Sequence, residues 1–523
     1  MSLSDKTMPC PRDWYAASLR APSSDGLGTA ATLGLAVLVT MLPVVMHLAG
    51  QAAGIAVCFA LALLVANFAA SAAPVVLIFS YVFQNLFVAL ISPQIGNLDE
   101  FNAIRAYNFI LTAAVWVVVA GSYWIDRASF EVRLRSVIDL TTVALVFIGL
   151  YFLIGARVDP SGASVYLRNI AAPFLLFQIF AIVAYRYRVS VTTALILLAT
   201  AALIFGYIEL LAPEKLFRLI NGDIYLKWRM KQEYESGAWL KAMHETGRVY
   251  RGYLDAMVIN FLNTPFLGDL GLRFHRMVGP NFHPISFAYC LAVFSVLFVA
   301  IGHWWFAILA FPVLLVIGSK GALLLVVGVI TARATILRFR GLRPLWVYTA
   351  LLLCYAAIAI VVGIKGQDYH VIGFIGGLNG FLKNPFGHGI GVGGNLSLNM
   401  TVIDWNRSQN IGSTDIAVES AVGVLLFQMG VFGIALIAIL GSIAVSLWKL
   451  YNRTRDQVLA VAALGLLTII VNGIFQEEAL FSPVALGLML AFSGALLGRF
   501  YRVAAMRDVG AGKSRLPGTG HSY

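Results

Sequence analysis

Five short groups of residues in this 523-residue chain carry the side chains that polar chemistry needs. The first is Arg273-Phe-His-Arg276-Met-Val-Gly-Pro-Asn-Phe-His283-Pro, where cations and imidazoles crowd just before an apolar run. Such groups at a membrane boundary are costly unless water or an anion meets them, so they read as lipid-phosphate anchors or as an anion site. The second is Gly318-Ser319-Lys320-Gly321-Ala322, a very short turn with one cation, whose plainer reading is a snorkelling lysine. The third is Lys383-Asn-Pro-Phe-Gly-His388-Gly-Ile-Gly-Val-Gly-Gly394-Asn395. Its glycines let backbone N–H groups approach an anion, unless the run is only a flexible loop. The fourth, Glu419-Ser420, opens a helix that reaches Gly430 and Gly433, and a carboxylate there gains from the positive helix end. The fifth, Gln476-Glu477-Glu478, sits on a short turn and reads as solvated charge.

Soluble-enzyme signatures are absent from the sequence. Gly512-Lys513-Ser514 ends like a phosphate-binding loop, but Arg507 stands where the first glycine belongs and no strand precedes it. Cys10, Cys58, Cys290 and Cys354 have neither metal-ligand spacing nor the look of a disulfide framework. No dinucleotide fingerprint is present.

The elements that position the five groups follow from hydropathy. Hydrophobic residues make up 60% and charged residues only 12%, so lipid must solvate much of the chain. The expected fold is an all-α, polytopic transmembrane bundle of about fourteen spans with two long external loops that contain short amphipathic helices. The spans fall near 26–50, 52–73, 75–93, 107–125, 137–155, 169–186, 189–211, 282–301, 303–319, 321–337, 345–363, 418–447, 457–475 and 480–499. The organisation is therefore a tail at 1–25, seven spans over 26–211, a loop at 212–281, and four spans over 282–363. A Gly-rich loop at 364–417, three spans over 418–499 and a basic tail at 500–523 complete it. Within the first loop, Tyr225–Leu240 and Tyr250–Leu262 read as interfacial helices.

The net charge of +12 arises from 37 Lys+Arg against 25 Asp+Glu. Twenty of the cations fall on one side of the short loops and tails and four on the other. That bias places both termini in the cytoplasm, and it implies membrane lipids rather than nucleic acid as the partner.

Together the groups resemble the O-antigen polymerase and O-antigen ligase superfamily over roughly residues 270–440. The shared pattern is an Arg followed by Gly and an Asn/Pro element opening a helix, then a Ser-Arg/Lys-Gly turn. An Asn-Pro-x-x-Gly-x-Gly-x-Gly segment and a helix with a polar pair before Gly-x-x-Gly follow. Two departures stand out: Lys320 replaces the usual Arg, and Glu419 with Ser420 replaces a His-Asn pair. The resemblance implies transfer of a glycan from undecaprenyl pyrophosphate to a sugar hydroxyl on the periplasmic face of a bacterial inner membrane. Implied substrate-binding residues are Arg276, Lys320 and Arg168, with Arg273, His283 and Asn395; the implied base is Glu419 or His388. The chemistry needs no metal and no cofactor, because cations stabilise the pyrophosphate as it leaves. Flippase and chain-length regulator proteins are the implied protein partners. The acidic residue at 419 favours a polymerase over a ligase that would act on lipid A-core. A transporter is disfavoured, since it would place ionisable groups at the membrane midplane.

Overall fold

The computed structural model describes residues 28–189, 192–235, 237, 252–263, 271–336, 339–397 and 403–513. The expectations for the tail at 1–25, for Trp239, Arg248, Arg251 and Arg338, and for the end of the chain beyond 513 lie outside them. The chain is 81% helical, so side chains are positioned almost wholly by helix packing. Every apolar segment anticipated from hydropathy falls on a helix. Ten helices among the described residues are long and apolar enough to cross a membrane, from Thr29–Ala49 to Pro483–Met506. This is a multi-pass membrane protein. Outer helices show the lipid-facing pattern: Arg343–Lys365 leaves Trp346, Leu351, Ile358 and Val361 exposed.

Pro160–Arg186 runs through the centre and buries its surface almost throughout its second half. It packs on Leu488–Lys513 at backbone distance. A Cβ added at Gly494 would meet the Phe177 carbonyl oxygen at 2.3 Å, and one at Gly498 the Ala181 oxygen at 2.1 Å. Small residues four apart allow such an approach where lipid offers no hydrophobic drive.

Two segments depart from expectation. The span expected at 418–447 is divided into Ala421–Met429 and Val431–Thr454 by Gly430, at φ 57 and ψ −131. The Val431 N–H turns out of the helix to donate to the Pro385 carbonyl at 2.9 Å. A side chain at 430 would collide with that same carbonyl, so only glycine fits. In the first long loop, the helix expected over 250–262 shrinks to Tyr253–Ala256. Val258–Asn260 instead pairs antiparallel with Arg273–His275, where β-branched Val258 and Ile259 suit a strand.

The second long loop contains Tyr369–Lys383, a helix with Gly373, Gly376, Gly377 and Gly380 buried. Its glycines seat it against Ala421–Met429; a Cβ at Gly377 would stand 2.5 Å from the Gly423 Cα. This contact sets the start of both helices side by side.

Candidate active site

Glu419 occupies the corner where the Gly-rich loop enters Ala421–Met429. Ser420 is fully buried and caps that helix, its Oγ accepting the Gly423 N–H at 3.0 Å. Glu419 itself has φ 61, a left-handed conformation that non-glycine residues seldom adopt. The corner is held from outside: the Glu419 N–H donates to Asn395 Oδ1 at 2.9 Å. Glu419 Oε2 lies 3.4 Å from Nδ1 of His370, the second residue of Tyr369–Lys383. Burial pulls the His370 imidazole down, but Glu419, Asp368 and Glu478 together lift it above its ordinary value.

Beneath Asn395 lies Glu477, only 4% exposed. The Asn395 N–H donates to Glu477 Oε2 at 3.0 Å. Tyr166, from the central helix, bonds the other Glu477 oxygen through its hydroxyl, which also accepts the Leu396 N–H at 3.2 Å. Burial pushes the Glu477 carboxyl up to about 8, so it is mainly neutral at pH 7. Glu478 is raised too, first by burial and then by repulsion from Glu419. A chain of contacts therefore runs from Tyr166 through Glu477 and Asn395 to the backbone of Glu419.

Cations gather beside this carboxylate group. Arg276 donates from Nε to the Ile317 carbonyl at 3.4 Å, three residues before Lys320. Burial lowers its guanidinium from the ordinary value, and the charge of Glu478 works against that shift. His283 caps Pro284–Ala300, its Nδ1 accepting the Ser286 N–H at 3.3 Å, so its proton sits on Nε2, 3.8 Å from Glu478 Oε1. Burial, then Arg229, Arg276 and Arg105, hold His283 well below the usual imidazole range. Arg229 donates to the Phe282 carbonyl. Arg168 lies within electrostatic reach of Arg105, Tyr81 and Tyr225. The hydroxyl of Tyr225 and the Oδ1 atoms of Asn85 and Asn281 are buried without a hydrogen-bond partner. Unsatisfied buried polar groups of this kind mark a place that water or a ligand completes.

The loop bearing these cations is pinned by Glu209, which is fully buried at the end of Thr192–Leu211. Its two oxygens accept the N–H groups of Val278 and Gly279 at 2.8 and 2.9 Å, and His275 Nε2 stands 3.2 Å away. Lys320 is exposed at the start of Lys320–Ile336. The preceding Ser319 is buried with its Oγ unpartnered. Gly321 lies against Tyr289 and Gln476, with no room for a side chain. Arg273 is exposed on the strand, opposite Asn260.

His388 is not brought to Glu419. It stacks on Phe427 at 4.2 Å and bonds the Phe427 carbonyl through Nδ1 at 3.0 Å, toward the far end of Ala421–Met429. Nor does the glycine run offer an open anion cradle. The N–H groups of His388, Gly389, Ile390 and Gly394 already bond carbonyls of Phe427, Gln428, Tyr151 and Ala417. Its glycines serve close packing: a Cβ at Gly391 would meet the Ala163 nitrogen at 2.2 Å, and one at Gly394 the Tyr166 hydroxyl at 1.9 Å.

The arrangement thus joins Glu419, Asn395, Arg276 and His283 from the residues singled out in the sequence. It adds His370, Tyr166, Glu477, Glu478, Glu209, Arg105 and Arg229. Of these, only the Glu477-Glu478 pair carried a sequence signal, and the expectation of solvated charge there is corrected by burial of Glu477. Comparison of the chain with protein-family models, with curated proteins and with solved structures gives no match in any of the three.

Proposed function

We propose that this protein is a polysaccharide polymerase. It transfers glycan from undecaprenyl pyrophosphate to the hydroxyl of another lipid-linked repeat unit, at the periplasmic face of a bacterial inner membrane. The supporting observation is the juxtaposition at one bundle end of a partly exposed carboxylate, Glu419, with arginines that surround His283. In this reading the chain makes about fourteen spans, both termini are cytoplasmic, and the loops at 212–281 and 364–417 are external. The shorter apolar helices Pro284–Ala300, Trp304–Ile317 and Gln457–Asn472 supply three of the spans beyond the ten.

Chemistry and geometry fit together as follows. The acceptor hydroxyl gives its proton to Glu419 as its oxygen bonds to the anomeric carbon of the donor. The bond from that carbon to the pyrophosphate oxygen breaks, and the electron pair leaves with the pyrophosphate. Arg276, with Arg105, Arg168 and Arg229 nearby, offers forked cationic donors to that developing charge. Lys320, exposed beside the site, offers a less directional point charge. His370 orients Glu419, and Asn395 fixes its backbone. Glu419 lies where ligases of the resembling family carry His, which favours the polymerase reading over the ligase one.

The test is the glycan that accumulates on undecaprenyl pyrophosphate in cells lacking the protein. Single repeat units are expected. Accumulation of long lipid-linked chains would replace this reading with a ligase, and no change in lipid-linked glycan would remove both.

A further inference from the structure

The opposite end of the bundle holds a second feature that the proposed chemistry does not use. A cleft of about 430 Å³ opens between Val132–Gly155, Pro160–Arg186, Val431–Thr454 and the end of Leu488–Lys513. Its floor is apolar and aromatic: Phe130, Tyr185, Phe500, Tyr501, Ala504 and Ala505. Arg133 and Arg453 stand exposed at its wall. The acid in the lining, Glu131, is committed to its own helix, its Oε2 accepting the N–H groups of Arg133 and Leu134 at 2.6 and 3.2 Å. Tyr501 lies within the field of Glu131 and of both arginines. On the adjoining face of the same helix, Arg502 keeps a buried Nε without a hydrogen-bond partner, and Arg499 and Arg188 add like charge beside it.

We infer that this cleft binds the head group of an anionic phospholipid. Three observations select that ligand. The cations outnumber the one acid, which caps a helix. The cleft lies where the span Pro483–Met506 ends, so an acyl chain can leave along apolar helix surface while the phosphate stays at the rim. The aromatic floor receives glycerol and upper methylenes, which a free ion would leave unsatisfied. Basic pockets between helices at the cytoplasmic boundary are a recurrent way to hold such head groups. The site is independent of the transferase reading and stands or falls without it.

The experiment uses the full chain purified in mild detergent and placed in nanodiscs of phosphatidylcholine, with or without phosphatidylglycerol. Native mass spectrometry reads retained lipid. Wild-type protein is expected to keep phosphatidylglycerol selectively, and Arg133→Gln/Arg453→Gln to lose it by roughly tenfold to thirtyfold in affinity. Arg343→Gln, an exposed arginine outside the cleft, should retain it. Ala504→Trp, which fills the cleft and leaves the charge, should lose it while the protein stays monodisperse. Equal retention by the double variant or by Ala504→Trp overturns the proposal, as does equal loss in Arg343→Gln. Displacement of the lipid by millimolar inorganic phosphate would assign the cleft to a free anion and also overturn it.

Discussion

Both ends of the bundle are rich in arginine, and they differ in how much of it is held in ion pairs. At the end with Arg127 and Arg186, several cations pair locally, although Arg502 keeps a buried Nε without a partner. Arg127 meets Asp139, and Arg186 lies 3.6 Å from Asp126 and over the Phe130 ring. Arg333 bonds Gln457, and Arg455 reaches the Phe339 carbonyl. At the other end, neither Arg276 nor Arg168 forms an ion pair among the described residues, and buried hydroxyls and amides nearby lack partners. A paired surface arginine serves topology and solubility. A desolvated arginine without a carboxylate is costly, and an anionic ligand would offset that cost. The difference teaches that local charge density alone does not locate a site; at each end the informative arginines are those without an ion pair among the described residues, Arg276 and Arg168 here and Arg502 at the opposite end.

The largest expected effect lies at Glu419. Glu419→Gln keeps size and hydrogen bonding and removes the base, so extension of lipid-linked repeat units by purified protein should slow by about 10²–10⁴-fold. Donor binding should persist. Wild-type turnover in the Gln variant would reduce Glu419 to a helix-start carboxylate and dissolve the chemical contrast between the two ends.

Next comes the loop that supports this residue. Gly394 has φ 92, and an added Cβ would lie 1.9 Å from the Tyr166 hydroxyl. Strain and overlap together make Gly394→Ala destabilising by roughly 2–5 kcal/mol. Gly441, in the interior of Val431–Thr454 with nothing within 4 Å of a Cβ, is the control. Gly441→Ala should be neutral or slightly stabilising in thermal unfolding of the detergent-solubilised protein. Equal melting temperatures for the two variants would mean that the Gly-rich loop is not packed as described.

These contrasts mark what could be read before the fold was known. Span positions follow from apolar length, a local property, and so each segment lands on a helix. The helix start after Glu419-Ser420 was readable because the polar pair and the apolar run behind it lie within one short stretch. The role of Glu477 was not, because its partner Tyr166 is 311 residues away and nothing near Glu477 signals burial. The packing of the glycine run was not readable for the same reason: the carbonyls that take up its N–H groups are distant in the sequence. The break at Gly430 hides inside an unbroken apolar run, where glycine is common in membrane helices.

A smaller effect separates the cations of the site from one another. Arg276 is half-buried and bonded to the Ile317 carbonyl, whereas Lys320 is exposed. Losing a charge-assisted contact costs about 1.5–3 kcal/mol, so Arg276→Ala should weaken donor affinity by roughly tenfold to a hundredfold. Lys320→Ala should weaken it less, because solvent screens an exposed charge, and Lys320→Arg should retain activity. Titration of lipid-linked donor against each variant orders them; a larger loss at Lys320 would move the phosphate site toward the Ser319-Lys320 turn.

The smallest expected effect is a slope rather than a loss, and it tests whether Glu477 is a neutral support. Its carboxyl is raised by burial from 4.5 to about 8 in the folded protein. Between those values the native state holds a proton that the unfolded chain has released, so stability falls as pH rises. The contribution is fully present below about pH 4.5 and is lost by about pH 8. Glu478 and His370 are also raised from their ordinary values, so the slope is read as the difference between wild type and Glu477→Gln. Glu477→Gln keeps a carbonyl oxygen as acceptor but carries no titrating proton. Its melting temperature should therefore fall less than that of wild type across the window, while glycan extension continues. Glu477→Ala, which removes both bonds, should lose extension together with the hydrogen-exchange protection of the Asn395 and Leu396 amides. Identical slopes for wild type and Glu477→Gln would mean that Glu477 is already ionised in the fold. The support for Glu419 would then be a buried charge, and the two ends would differ less than their burial implies.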